Sequence, residues 1–238
     1  MTISNDDELQ ALKEIGGIVA RALAAMGKAI EPGMTTAELD AIGRDYLERH
    51  GARPAPELAY EFPGATCVSV NEEIAHGIPG ARRILAGDLV NIDVSAEKNG
   101  FFGDTGASFA VPPVRPKLER LCRDGRRALW AGIGRAVGRF AEKNGYTLVR
   151  NLASHGVGRS LHEEPTEIAT WPDRSERRTM TNGLVFTVEP FLSLGADWAE
   201  NTEEDRWTLY SDPCAPTVQY EHTVVATPRG AVVLTLPG

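Results

Sequence analysis

The stretch LVNIDVSAEKNGFFGDTGASF, Leu89 to Phe109, decides how this chain folds. Two runs rich in apolar residues flank Asn99-Gly100, and Asn-Gly between such runs is a strong signal for a type I′ hairpin, because both turn positions need positive φ. With these two residues as the loop, Lys98 pairs with Phe101, and counting back sets Ser95 opposite Asp104. Directly opposed residues share a face of the sheet, and so do residues two apart on one strand. Asp93 and Asp104 are therefore diagonal neighbours on one face. A four-residue loop preserves this parity and a three-residue loop breaks it. Two carboxylates held close on a poorly solvated sheet repel by on the order of several kcal/mol unless one is protonated or cations arrive. A wet face, or a turn made by Asp104 with Gly103 and Thr105, accounts for either residue alone. The pair in this register favours a cation site.

Outward from the hairpin, the same order of elements reads twice, without a convincing sequence repeat. Upstream, Ile15, Ile18, Val19 and Leu23 recur at helical spacing and predict a helix from about Asp6 to Met26. Asp6, Asp7 and Glu8 suit its positive end and Gly27 its close. After the turn EPGMT, Thr35 or Thr36 caps a second helix ending near His50-Gly51. Strands are expected at Thr66–Val70, Leu89–Val94 and Phe101–Val111. Downstream, Pro112-Pro113-Val114-Arg115-Pro116 interrupts the chain, and a long helix over about Lys117 to Lys143 restarts it. A loop-rich segment follows from Asn151 to Arg178. Strands are expected again at Leu184–Glu189, Val218–Thr227 and Val232–Leu236. Gly195–Pro216, acidic and rich in turn residues, reads as a surface excursion.

The sequence has 238 residues, 42% of them hydrophobic, which is enough for one substantial core. Its formal charge of −8 makes it a poor electrostatic partner for nucleic acid or an anionic membrane. The arginines between Arg115 and Arg135 read as a solvated helix face. Cys67, Cys122 and Cys214 have no C-x-x-C spacing, which argues against a disulfide framework or a thiolate zinc site and fits a reducing cytosol. The opening MTISNDDELQ lacks the apolar run of a secretory signal, and no stretch of about 20 apolar residues is present to span a membrane. The expected location is cytoplasmic.

Two further carboxylates stand in strand-like contexts: Glu189 in LVFTVEP and Glu221 in TVQYEHTVVAT. A glutamate in an apolar strand is costly to bury unpaired, although an arginine partner would explain either one singly. Among the histidines, His155 lies in SHGVGRSLHEEP, His162 seven residues on, and His76 in NEEIAHGIP. His50 suits a helix C-terminus. His222, next to Glu221, points to the opposite face and reads as structural. Four carboxylates with one imidazole, and no thiolate, suit Co, Mn, Fe or Zn. Two divalent ions neutralise such a set. Sharing a water, two ions lower its pKa towards about 7 and polarise a carbonyl. This is chemistry for hydrolysing an amide or an ester, with the substrate left open.

The motifs VNEEIAHGIP, LVNIDVSAEKNGFFGDTGASF, SHGVGRSLHEEP, FTVEP and QYEHTVVAT, in this order, resemble those of the type I methionine aminopeptidases, and the match covers nearly the whole chain. The resemblance implies an α/β pita-bread fold: two helix–strand halves related by a pseudo-twofold axis around a central antiparallel sheet. It implies that residues 1–238 form one catalytic aminopeptidase domain, acting as a monomer. Two divalent metal ions are implied, one held by Asp93 and the other by His155 and Glu189, with Asp104 and Glu221 bridging both. His76 would sit near the substrate's amino end, and His162 against the peptide carbonyl or tetrahedral intermediate. Glu189 would pass a proton from the water to the leaving amine. The implied substrate is the N-terminal Met of peptides and nascent proteins, its side chain held by Phe62, Cys67, Trp207 and His76. A soft apolar pocket with aromatic walls suits a thioether.

This sequence departs from the family pattern at Leu161, where Phe is usual, at Ala59, where an aromatic often lines the pocket, and at Ala153-Ser154, where Cys-Gly is common. These changes bear on selectivity rather than on peptidase chemistry. A proline-specific relative, a non-catalytic binding module of the same fold and a dimetal hydrolase of non-peptide substrates are the competing readings. Relatives of the first kind usually carry an extra N-terminal domain, for which Asp93 comes too early. The second kind would be expected to lose ligands that this chain keeps.

Overall fold

In the computed structural model, which describes residues 1–202 and 205–238, the central hairpin forms in the expected register. The first half of the chain runs α1 (Asp6–Ala29), α2 (Thr36–Arg49), β1 (Arg53–Pro54), α3 (Ala55–Tyr60), β2 (Cys67–Val70), β3 (Glu73–Ala75), β4 (Leu89–Lys98) and β5 (Phe101–Ala110). The second half runs α4 (Pro116–Ala131), α5 (Arg135–Asn144), β6 (Thr147–Leu148), β7 (Ser154–Gly156), β8 (Glu163–Ile168), β9 (Val185–Val188), β10 (Phe191–Ser193), β11 (Trp198–Asn201), β12 (Leu209–Asp212), β13 (Thr217–Gln219), β14 (His222–Thr227) and β15 (Gly230–Val233).

Lys98 pairs with Phe101, Ser95 with Asp104 and Asp93 with Gly106. Asn99 and Gly100 take φ of 55° and 80°, as a two-residue I′ loop demands. The helices start where their caps predict. Asn5 accepts a hydrogen bond from the Glu8 N–H at 2.9 Å, and Thr35 and Glu38 form a reciprocal capping box. Gly27, expected to close α1, lies inside it instead, because the helix continues to Ala29 across the Phe109 ring.

Two sheets carry the architecture. Strands β1, β4 and β2 lie side by side, with β5 on β4; the other sheet runs β15-β14-β9-β7-β8. All pairings are antiparallel. The sheets meet along β5. The Glu221 N–H donates to Gly106 O at 2.9 Å, Tyr220 bridges Ala107, and the Asp104 N–H donates to Thr223 Oγ1 at 3.0 Å. Each half has its own core. Leu12, Ile15, Val19 and Met26 of α1 and Leu39 and Leu47 of α2 pack with Val90, Ile92 and Val94 of β4. Leu121 and Ala128 of α4 and Val137 of α5 pack with Phe186, Leu192 and Val224. The helix pair, strand hairpin and core thus occur twice, as a pseudo-twofold requires, around a central antiparallel seam.

Several expectations need correction. The long helix over Lys117–Lys143 is broken into α4 and α5, with Gly132 and Gly134 at φ 91° and 58° where an unbroken helix cannot continue. The segment Asn151–Arg178 contains β7 and β8, whose pairing was hidden by their mixed polarity. Val218–Thr227 is two strands: β13 pairs with β10 and β14 with β9. The last strand, expected at Val232–Leu236, begins earlier and ends at Val233. The Gly195–Pro216 excursion is not a free loop. Its strands β11 and β12 form a hairpin docked on β3, with Leu209 opposite Ala75. An exposed strand edge offers unpaired backbone groups, and this hairpin takes up those of β3. Glu203 and Glu204, part of the acidic excursion, lie outside the described residues. Among the described residues no helix is long and apolar enough to cross a membrane.

Replacing Gly100 by Ala forces a Cβ into positive φ. It is expected to cost about 1 kcal/mol in urea unfolding. An unchanged midpoint would mean that the loop tolerates another turn type.

Candidate metal centre and active site

All five expected ligands line one cavity of about 290 Å³, together with Pro56, Tyr60, Phe62, Cys67, His76, Ser95, Leu161, His162 and Trp207. Asp93 and Asp104 come from the first half, on the shared face of β4 and β5. His155 is in the middle of β7. Glu189 follows β9 at the point where Pro190 ends the strand, and Glu221 lies between β13 and β14. The two glutamates therefore sit where strands change partners. There the backbone leaves the ladder, and a side chain can be directed into the seam.

The atoms converge. His155 Nε2 lies 3.4 Å from Glu189 Oε1 and 3.8 Å from Asp104 Oδ2. Asp104, His155 and Glu221 each offer one ligand atom within 4.8 Å of the others. His155 Nδ1 lies 3.0 Å from Gly156 O, and a carbonyl can only accept. Nδ1 therefore carries the proton, and Nε2 presents its lone pair to the carboxylates, the tautomer a metal ligand needs.

The charge balance is unfavourable without cations. Burial pushes the Asp93 carboxyl up to about 6 and the Glu189 carboxyl up to about 8. Burial first, then the neighbouring carboxylates, drive Asp104 and Glu221 well above the ordinary carboxylate range. Asp104 Oδ1 and Glu221 Oε1 are buried with no hydrogen-bond partner among the described residues. Orphaned acceptors of this kind are costly. Divalent cations answer both the missing partners and the repulsion, and oxygen donors with one imidazole are the donor set for them. The residues present fit a metal centre.

Supporting residues that the sequence reading missed hold this set. Gln219 Nε2 donates to Glu221 Oε2 at 3.0 Å and approaches Asp93 Oδ2 at 3.4 Å, linking candidate ligands of both halves. Thr187 donates to Glu189 Oε1 at 2.7 Å and accepts from the His155 N–H at 3.0 Å. Ser154, in the departure from Cys-Gly, accepts from the Glu189 N–H at 3.1 Å. Gln219 and Thr187 each stand two residues before a glutamate ligand, and period-two spacing could have found them. Ser154 left no such signal.

The pocket walls follow. Phe62 and Trp207 pack edge to face at 5.4 Å. Trp207 reaches the cavity because β12 docks on β3, and Asp205 Oδ1 accepts from the Trp207 and Thr208 N–H groups at 2.6 Å to shape the turn. Cys67 is opposite Asp93, and burial raises its thiol well above the usual range, so it stays a neutral apolar wall. His76, at φ 53°, leaves β3 in the left-handed region, which turns it into the cavity mouth. It keeps solvent-accessible surface, yet the surrounding protein lowers its pKa. His162 stacks on His155 at 3.7 Å and keeps exposed surface; the surrounding protein lowers it to about 4, and burial lowers His155 to about 3, so both rings are neutral at pH 7. Leu161 is a buried wall residue. Ala59 is exposed and outside the walls; Tyr60 stands there instead. His50 Nδ1 donates to Tyr46 O on the surface, and His222 faces Thr235 and Trp130, away from the candidate ligands, as expected.

An antiparallel seam with a buried carboxylate–imidazole cluster at the floor of an aromatic-walled pocket is the arrangement of a metallopeptidase. Residues 10–228 match Metallopeptidase family M24. The chain belongs to that family. It is 44% identical to methionine aminopeptidase 2 of Bacillus subtilis (strain 168), over 99% of each chain. The crystal structure of methionine aminopeptidase from Rickettsia prowazekii superposes with a TM-score of 0.93 at 30% identity, covering 99% of this chain and all of that one. Prolidase from Pyrococcus furiosus shares the fold at 22% identity and a TM-score of 0.76, with 65% of its length covered. The fold is the pita-bread fold of this family.

The raised carboxyl pKa values fix the sign of a stability profile. The folded, metal-free protein keeps protons that the unfolded chain has released above about pH 4. Stability is therefore highest below that pH and falls as pH rises through about 6 and 8, the values of Asp93 and Glu189. Melting temperatures of chelated protein should drop between pH 5 and 8, and divalent metal should remove most of the drop. A chelated protein with a flat profile over that range would contradict the carboxylate cluster.

Proposed function

We propose that this chain removes the N-terminal methionine from peptides and nascent proteins, with two divalent metal ions held by Asp93, Asp104, His155, Glu189 and Glu221. The observation that carries this is the position of the ligand cluster at the floor of a small cavity walled by Phe62, Cys67 and Trp207. Its aromatic and apolar walls suit a thioether side chain, whose backbone would then lie beside the carboxylates. Asp93 would ligate one ion, His155 and Glu189 the other, and Asp104 and Glu221 both. Bound there, the cations supply Lewis-acid polarisation of the carbonyl and acidification of a water.

The chain's own groups do the rest. His76, at the mouth, contacts the substrate near its amino end. His162, neutral at working pH, hydrogen-bonds the peptide carbonyl as charge develops on its oxygen. Glu189, whose carboxyl titrates near neutral pH before cations bind, takes the water's proton and delivers it to the departing amine nitrogen. Phe62, Cys67 and Trp207 exclude water from around the thioether. The whole of 1–238 acts as one catalytic domain, monomeric and cytoplasmic, with Co, Mn, Fe or Zn as candidate metals and without nucleic acid or membrane partners.

The test is hydrolysis of Met-Ala-Ser, Ala-Ala-Ser and Ala-Pro-Ala by chelated enzyme and with each metal added back. Metal-dependent cleavage of Met-Ala-Ser alone is the expected result; cleavage of Ala-Pro-Ala would move the activity to the proline-specific class. Glu221→Ala should lose turnover and weaken metal binding while the protein remains folded by circular dichroism. Normal turnover in that variant would refute the ligand set.

A further inference from the structure

Tyr60 ends α3, and Glu61 at φ 56° turns the chain immediately after it. The phenol reaches 102 residues along the sequence to His162, with 2.6 Å between Tyr60 OH and His162 Nδ1. The two rings meet edge to face at 5.6 Å, and the Tyr60 ring also lies 6.4 Å from Trp207. His162 also stacks on His155 at 3.7 Å. Its Nε2 makes no hydrogen bond among the described residues, and Tyr60 OH makes none there besides the one to Nδ1.

We propose that Tyr60 is a positioning residue whose phenolic O–H donates a hydrogen bond to His162 Nδ1 and so holds the imidazole in its Nε2–H form. This rests on the role given above to His162. A neutral imidazole has one donor and one acceptor nitrogen. If Nδ1 carried the proton, Nε2 would turn a lone pair towards the substrate's carbonyl oxygen, and the two would repel. With Nδ1 occupied as acceptor, Nε2–H is the donor that the carbonyl needs. The stack on His155 fixes the ring plane, and the phenol fixes the rotation within it and the proton's place. Ala59 leaves the family's aromatic position empty, and Tyr60 both restores a ring to the wall and adds this hydrogen bond.

Tyr60→Phe keeps the ring and removes only the hydroxyl. For Met-Ala-Ser, kcat should fall roughly 10- to 100-fold, the usual loss for a partner that orients an active-site imidazole, while KM changes less than about threefold. In a His162→Ala background the same substitution should cost nothing more, since the residues act as one unit. Proton–nitrogen correlation spectra of isotopically labelled histidines in the free protein should show His162 as the Nε2–H form, and a mixture of the two forms in Tyr60→Phe. An unchanged kcat, a loss confined to KM, or the same single form in both proteins would overturn the proposal. The spectrum needs no substrate. A wild-type protein that releases no methionine would therefore sink the substrate assignment, whereas an unaltered spectrum would sink the role of Tyr60.

Discussion

Like-charge repulsion between Asp93, Asp104, Glu189 and Glu221 is the constraint around which the protein is organised. Buried carboxylates with orphaned oxygens separate or protonate unless the backbone holds them and cations neutralise them. The protein meets the first condition with redundancy. Asp93 and Asp104 ride on a ten-pair hairpin, and Glu221 is clamped by β5 through the Gly106 carbonyl and the Thr105 hydroxyl. His155 and Glu189 are tied together by Thr187 and Ser154. The cost of assembling the site is carried by two cores distant from it.

The repeated architecture has a chemical consequence. Each half contributes a strand pair, and the carboxylates of both face one seam, so no single half contains the site. Gln219 crosses that seam and touches a carboxylate of the cluster on either side. The cavity is likewise composite: Phe62 and Cys67 come from the first half and Trp207 from the hairpin of the second that docks on β3. The candidate pocket and the candidate metal site therefore depend on the same docking of halves.

Much of this was legible in the chain. Asn99-Gly100 sets the loop, the loop sets the parity, and the parity places Asp93 beside Asp104. Caps at Thr35 and the acidic turn before Glu8 mark helix starts for local reasons. What failed were judgements that depend on neighbours. The run Lys117–Lys143 has a helical composition, but two glycines at positive φ break it where α5 turns back to pack on α4 and β6. The Gly195–Pro216 segment is polar by composition, yet it contains the strands β11 and β12 because β3 offers them an edge. The reading of Ala59 as an empty wall position stands, but nothing in the sequence shows that α3 ends so as to turn Tyr60 into the pocket beside it.

By itself, then, the sequence determined the hairpin and its register, the two-half order and the metal-binding residue types, because these follow from turn stereochemistry, strand periodicity and the cost of burying charge. The tertiary structure alone decided the partners of those residues: the seam through Gly106 and Glu221, the Gln219 and Thr187 supports, and the wall made by Trp207 and Tyr60. Such contacts join residues some 100 apart in the chain, and local propensity carries no information about which distant surface a backbone edge or a side chain will meet.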